Sequence, residues 1–366
     1  MPRRGENIFK RKDGRWEGRY IKDRDLSNKA IYGYLYGKSY TEVKRKLNQA
    51  KSQKIDSNTL SDNFEIISNK WIENKKLSVK DSTLAHYKMI LDKHIFPLLG
   101  RYDISDVTSD IILQYMNRLI IDGYATKTAV DILNVIKNIM KYAKHKGFCC
   151  NCDLSIISLK ICKSEIETLT TFEQKKLCNY IENNLDNRNF GILLCLCTGI
   201  RIGELCALKW SDIDISEKIL NINKTMLRIS NNYFADNCKT KIIITSPKSE
   251  CSVRQIPISN NIIDVMKKLN RTDNAYVLTG SADNFIEPRN MQYYFKTVLK
   301  KCEIRNVKFH ILRHTFATRC VENGFEIKSL SEILGHSSIK ITLDRYVHSS
   351  MDLKRKNMDK VDLLSA

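Results

Sequence analysis

His310-Ile311-Leu312-Arg313-His314-Thr315-Phe316-Ala317 sets two basic residues at helical spacing. Residues i and i+3 share a helix face, so His310 and Arg313 project together. Upstream, Thr198-Gly199-Ile200-Arg201-Ile202-Gly203-Glu204-Leu205 reads as a turn that exposes a helix start, with Arg201 standing at that start. Ser246-Pro247-Lys248-Ser249 adds a lysine, and Leu334-Gly335-His336-Ser337-Ser338 adds a histidine behind a helix-ending glycine. Ten residues further on, Leu343-Asp344-Arg345-Tyr346-Val347-His348 supplies a tyrosine. Two arginines, a lysine and two histidines suit one task. Guanidinium forks grip a phosphodiester and neutralise its transition state, while the lysine and histidines manage two proton transfers. Tyr346 would be the nucleophile. This set asks for no metal, no nucleotide cofactor and no water.

Each residue alone has an ordinary reading. Arg201 would be a surface arginine, His336 a cap, and Tyr346 one partly buried helix tyrosine among 16. Their order and spacing lift them above that background. Glu204 lies three residues beyond Arg201, hence on the same helical face. Lys239 and Lys241 compete with Lys248 for the lysine role. His314 lies roughly 100° round the helix from Arg313 and reads as structural.

Charge points the same way. The chain of 366 residues carries a formal net charge of +20 and a pI near 9.4, the signature of a polyanionic partner. Residues 1–54 contribute +10 of that excess, with 16 Lys and Arg against 6 Asp and Glu. The same segment holds Trp16, Tyr20, Tyr32, Tyr34, Tyr36 and Tyr40, whereas disordered basic tails are poor in aromatics, so a small folded module is expected. No apolar stretch follows Met1-Pro2-Arg3-Arg4, and the densest apolar run, 190–197, is too short to span a bilayer. The twelve cysteines lack a disulfide spacing and read as reduced thiols in a cytosol. Cys149 and Cys152 form one C-x-x-C, but no second pair completes a zinc site.

The expected fold class is multidomain α+β, in three segments. Over 1–55, Asp13-Gly14 between 7–11 and 16–22 predicts a hairpin, alternation over 30–36 adds a third strand, and Ser39 with Glu42 reads as a capping box opening a helix. The result is a small three-stranded sheet plus helix, its outer face carrying Arg11, Lys12, Arg15, Arg19 and Lys22 as candidate DNA contacts, since such a ribbon fits a major groove. Over 60–150 the periodicity predicts a four-helix bundle, with one helix stopping at Phe96-Pro97. Residues 147–165 read as a polar connector that lets the flanking lobes open. Over 166–350 the pattern is mixed and mainly α with a small β-sheet, whose strands are 219–222, 241–245 and 254–258. Residues 351–366 form a short amphipathic tail.

On these motifs the third segment resembles the catalytic domain of the tyrosine recombinases, the phage-integrase type. The second is similar to their helical core-binding domain, and the first to the arm-binding domain of phage and conjugative-transposon integrases. The resemblance implies a site-specific recombinase that cuts and rejoins double-stranded DNA through a 3′-phosphotyrosine and a Holliday junction. It implies Arg201 and Arg313 as phosphate clamps, Lys248 as general acid and Glu204 as the carboxylate that orients catalytic side chains. It further implies His310 as proton-transfer aid, His336 as phosphate donor and Tyr346 as nucleophile, with no cofactor. Expected partners are core and arm DNA sites, three further protomers in a tetramer, and an excisionase or host DNA-bending protein. The tail would pack in a neighbouring protomer. The run Cys149-Cys150-Asn151-Cys152 departs from the Asn-Pro often seen in relatives. A chromosome-resolving recombinase, a DNA-binding regulator and a type IB topoisomerase are the alternatives. The N-terminal module argues against the first and last, the intact residue set against the second.

Overall fold

The structure, a computed structural model, describes residues 7–24, 30–57, 62–148, 150, 152–160, 166–230, 239–247, 250–346 and 358, without the side chains of 21–24, 30–31, 50–57 and 250. The chain divides into two units, Met1–Ile161 and Cys162–Ala366.

The first unit holds two separate cores. The smaller belongs to an antiparallel sheet of β1 (Ile8–Lys10), β2 (Trp16–Arg24) and β3 (Ala30–Gly37), backed by α1 (Tyr40–Ser57). Lys10 pairs with Trp16 around the expected Asp13-Gly14 hairpin, where Gly14 adopts φ +83°. Trp16, Gly18 and Tyr20 face the helix. A Cβ on Gly18 would lie 2.5 Å from Leu47 and 2.6 Å from Val43, so glycine is what lets α1 seat on the sheet. The helix start departs slightly from the expected box. Ser39 Oγ accepts the Glu42 N–H, but the Glu42 carboxylate accepts from the Lys38 N–H, one residue outside the cap.

The larger core is the helical bundle: α2 (Phe64–Lys76), α3 (Asp81–Ile90), α4 (Phe96–Leu99), α5 (Ser109–Ile121) and α6 (Thr126–His145). Phe64, Ile67, Trp71, Leu91, Ile112, Met116, Ile132 and Ile136 fill it. Two expectations are corrected here. The helix does not stop at Phe96-Pro97. It widens into a π-turn over Leu91–Ile95, with the Phe96 N–H reaching back to the Leu91 carbonyl, and continues as α4 to Gly100. The wider turn leads into Pro97, which has no N–H to donate, and Tyr115 Oη donates to the His94 carbonyl beside it. The connector is also not free over its first part. Phe148, Leu154 and Ile157 are buried in the bundle core, and Ser109 Oγ and Lys137 Nζ donate to the carbonyls of Asp153 and Ile157. Residues 161–165 of the connector, with Cys149 and Asn151, lie outside the described residues.

The second unit surrounds α8 (Asn187–Thr198), a helix buried almost all round. Around it stand α7 (Thr171–Asn183), α9 (Ile202–Ala207), α10 (Asn260–Lys267), α11 (Pro288–Lys301), α12 (Ile311–Glu322), α13 (Ile327–Leu334) and α14 (Ile339–Tyr346). One sheet has the order β4-β5-β8, from β4 (Ile213–Asp214), β5 (Ile219–Ile222) and β8 (Arg254–Pro257). A separate antiparallel pair joins β6 (Thr225–Ser230) to β7 (Thr240–Thr245). The sequence reading named no strand at 225–230; six paired residues along β7 make it one. Among the described residues the small β component is therefore two sheets, in a unit that is otherwise mainly α. The proposed tail, 351–366, lies outside the described residues apart from an exposed Met358. No helix among the described residues is long and apolar enough to cross a membrane.

Trp71 is 2% exposed and its ring packs 5.1 Å from that of Tyr87. Trp71→Ala is expected to cost about 3–5 kcal/mol of stability, read as a lowered urea midpoint of the first unit's unfolding transition.

Candidate active site

The site is assembled where α8 hands over to α9. Gly199 ends α8 in the left-handed region at φ +66°, where a Cβ would meet Phe316 at 2.5 Å, and this turn brings Arg201 to the cap position of α9. Glu204, in the first turn of α9, folds back. Its Oε2 accepts the Arg201 backbone N–H at 2.9 Å and its Oε1 accepts Arg201 Nη1 at 2.8 Å. The same carboxylate takes a second guanidinium, Arg254 from β8, through both oxygens at 2.9 and 3.1 Å. Glu204 is buried. Burial raises its pKa, but Arg254 and then Arg201 outweigh that and hold it below the ordinary carboxylate value.

Three arginines then converge on the end of α13. Arg254 Nε donates to the Ile333 carbonyl at 2.5 Å, Arg313 Nη2 to Leu334 at 2.7 Å and Arg201 Nη2 to Gly335 at 3.0 Å. These carbonyls have no partner within the helix, and they form its partially negative end, so they draw cations. Gly335 caps α13 at φ +63°, turning the chain so that His336 follows directly. Arg313 also donates to the Gly199 carbonyl at 2.8 Å, tying the two glycine turns together.

Tyr346 ends α14 and is 5% exposed. Its hydroxyl lies 2.8 Å from His314 Nδ1, and its ring is nearly parallel to that of His336, centroids 6.3 Å apart. His336 is fixed by Thr342, whose Oγ1 is 2.8 Å from Nδ1. His310 caps α12 and packs edge-on against His314. Thus Arg201, Glu204, His310, Arg313, His336 and Tyr346 come together as expected. Lys248 lies outside the described residues, in the segment between β7 and β8.

Two participants were not anticipated. His314 was read as structural from its angle on α12, but Tyr346 arrives from a different helix and meets it. Arg254 carried a signal that went unused: it sits two residues before buried Ile256, hence on the inward face of β8, where a charge requires a buried partner.

The electrostatics are those of a place prepared for an anion. Burial and the arginine charges drop the pKa of His336 to about 3. Burial, with His314 and the arginines, drops His310 to about 4. Burial, with Arg345 and Arg313, drops His314 to about 4. Burial and the neighbouring Arg201 bring Arg313 down to about 9, still cationic at neutral pH. Burial raises the Tyr346 phenol against the pull of Arg313 and Arg345. Arg201, Arg254, Arg313 and Arg345 thus crowd around three neutral imidazoles and a protonated phenol, with Glu204 as the counter-charge. Among the described residues no group of His, Cys, Asp and Glu could hold a metal ion.

Residues 167–352 match the phage integrase family, and residues 63–120 match the phage integrase N-terminal SAM-like domain. A "tyrosine recombinase XerC-like" protein of Caldanaerobacter subterraneus subsp. tengcongensis is 30% identical, over 89% of this chain and 90% of that one. The chain belongs to the phage integrase family of tyrosine recombinases. Among solved structures, the Tn1549 transposon integrase in complex with circular intermediate DNA superposes with a TM-score of 0.67 at 20% identity, covering 82% of this chain and all of that one. A lambda integrase tetramer bound to a Holliday junction superposes with a TM-score of 0.57 at 18% identity, covering 94% and 98% of the two chains. This recombinase therefore has the integrase fold, and its chemistry is site-specific cleavage and rejoining of DNA.

On the candidate DNA-binding face of the N-terminal sheet, Tyr32, Tyr34 and Tyr36 project together and exposed, and Arg19 lies over the rings of Tyr32 at 4.0 Å and Tyr34 at 5.5 Å. Arg11 and Arg15 lie over Tyr36. Lys12 is exposed in the hairpin, and Lys22 is in β2 with its side chain outside the described residues.

Two outcomes are expected. Glu204→Gln leaves Arg254 buried without its counter-charge and should cost about 3–5 kcal/mol in chemical denaturation. The three histidines have folded pKa values below the ordinary 6.5, so the unfolded chain binds more protons at mildly acidic pH. Their contribution to stability is complete above about pH 6.5 and is lost as the pH falls towards 4, so the melting temperature should decline across that window. His336→Gln should flatten the decline.

Proposed function

We propose that Tyr346 is the nucleophile of DNA strand exchange and that the arginine and histidine cluster binds the scissile phosphate. The observation that carries this reading is the Tyr346 hydroxyl held at His314 inside the group formed by Arg313, His336 and Arg201. Tyr346 Oη bonds to phosphorus and the bond from phosphorus to the 5′ oxygen breaks. The phenol proton passes to a neutral imidazole, for which His314 Nδ1 is placed at 2.8 Å with His310 packed behind it. Lys248 protonates the leaving 5′ oxygen. The 5′ hydroxyl of a partner duplex then attacks the 3′-phosphotyrosine, reversing the step. One phosphodiester is traded for another of similar energy, so no nucleotide hydrolysis is needed. Arg201, Arg313 and His336 stabilise the pentavalent phosphate. An anion there offsets the arginine charges, which after burial are the second cause of the low imidazole pKa values, and so raises the histidines' affinity for a proton.

The structural likeness to a transposon integrase and the N-terminal sheet support integration and excision of a mobile element as the biological task. In this reading residues 1–55 bind arm sites through Arg11, Lys12, Arg15, Arg19 and Lys22. Residues 60–150 and 166–350 clasp the core site. Four protomers act together, as the likeness to the lambda integrase tetramer supports, with the tail exchanged between them. An excisionase or DNA-bending protein would set direction.

On a nicked core-site duplex from the element's own ends, wild type should form a covalent complex resistant to denaturant and Tyr346→Phe should form none. A covalent band persisting in the variant would transfer the role to another tyrosine. Separately, deletion of residues 1–55 should flatten the salt dependence of binding to arm-site DNA, because fewer lysines and arginines then displace counterions. An unchanged slope would remove the arm assignment.

A further inference from the structure

We infer that Arg254 is a positioning residue of the active site, fixing Arg201 through Glu204 and His336 through the end of α13. The inference rests on the proposed roles of Arg201 and His336.

Its hydrogen bonds define what Arg254 does. Nε donates to the Ile333 carbonyl, Nη1 to the Ser252 carbonyl and to Glu204 Oε1, and Nη2 to Glu204 Oε2. Four of the five N–H groups of a guanidinium are thus engaged. The side chain is 6% exposed, against 36% for Arg201, so the two arginines on Glu204 are not equivalent. Arg201 remains open to a ligand, whereas Arg254 is turned inward. It therefore does not grip a phosphate.

Three pieces of the site meet at it. Through Glu204 it sets the carboxylate that holds both the backbone and the side chain of Arg201. Through Ile333 it fixes the last turn of α13, whose next two carbonyls hold Arg313 and Arg201. Its Cδ and Nη1 lie 3.1 Å from where a Cβ on Gly335 would stand, so it packs under the turn that presents His336. A bidentate guanidinium at a buried carboxylate has a directional grip that an ammonium cannot reproduce.

The consequence for charge is specific. Glu204 is faced by Arg201 from the start of α9, Arg254 from β8, Arg313 from α12 and the buried Cys195 thiol from α8. Without Arg254, burial of Glu204 remains while its bidentate partner is gone, so the carboxyl titrates at higher pH. Once protonated it no longer holds Arg201 as an ion pair.

The test is single-turnover cleavage of the nicked core-site duplex by the full chain as a function of pH, for wild type, Arg254→Gln and Arg254→Lys. Duplex affinity and melting temperature are measured alongside. Arg254→Gln should slow covalent complex formation about 100-fold, the effect of a displacement near 1 Å in a catalytic group, with duplex affinity unchanged. Its rate should fall on acidification at a pH where wild type is flat. Arg254→Lys should recover part of the rate and less of the acid sensitivity. Glu204→Gln in the Arg254→Gln background should add little further loss, because the two residues act as one unit. The inference is overturned if Arg254→Gln cleaves at the wild-type rate. It is also overturned if the loss merely follows the melting temperature, with an unchanged pH profile and additive Glu204 and Arg254 effects. Should Arg254→Gln not fold, the pH profile of Arg254→Lys decides by the same criteria. Absence of covalent complex with wild type would instead sink the proposed function. In that event the Arg201 Nε resonance of arginine-labelled protein, assigned with Arg201→Lys, still decides: it must move in the Arg254 variant, and an unmoved signal refutes the positioning role.

Discussion

A single buried carboxylate shared between two guanidiniums governs this active site. Glu204 would be costly in the interior by itself, and so would Arg254. Together they cancel most of that cost, and the second guanidinium, Arg201, is drawn to the same oxygens from the solvent side. The end of α13 completes the arrangement. Its three terminal carbonyls accept one arginine each, so the helix dipole and the ion pair favour the same placement of positive charge. The glycines at 199 and 335 are needed at these corners because both turns run at positive φ and are crowded where a Cβ would stand.

The outcome is a site with more positive charge than its own residues neutralise. Burial, reinforced by that excess, keeps His310, His314 and His336 uncharged, and burial also keeps the Tyr346 phenol protonated. A phenol with pKa near 10 is a weak nucleophile at neutral pH, and here burial makes it weaker still. A phosphate would relieve the repulsion among the arginines and restore the ability of the imidazoles to hold a proton.

The N-terminal sheet uses its aromatic residues in a different way. On the helix side, Trp16 and Tyr20 pack with Val43 and Leu47 over Gly18, Gly33 and Gly37, which admit large neighbours. On the other side, the tyrosines carry Arg11, Arg15 and Arg19 across their faces. Stacking of this kind limits the rotamers of a long side chain before any ligand binds, which lowers the entropy lost on association.

The sequence by itself determined the elements and most of the chemistry. Alternation and the Asp13-Gly14 turn pointed to the three strands, helical periodicity to the bundle, and the motifs around Arg201, His310, Arg313, His336 and Tyr346 to residues that the fold brings together. These are local signals, because side-chain direction along one helix or strand follows from its period. The tertiary structure alone decided what crosses between elements. Pro97 ends no helix, because the chain enters it through a π-turn, beside which Tyr115 from α5 donates to the His94 carbonyl. The first part of the connector is docked because its apolar residues find the bundle. His314 meets Tyr346 because α14 approaches α12 from a side that the angle on one helix does not report. Arg254 joins Glu204 across 50 residues of chain. Its position on the inward face of β8 demanded a buried counter-charge, but only the packing of β8 against α9 and α13 could say which one.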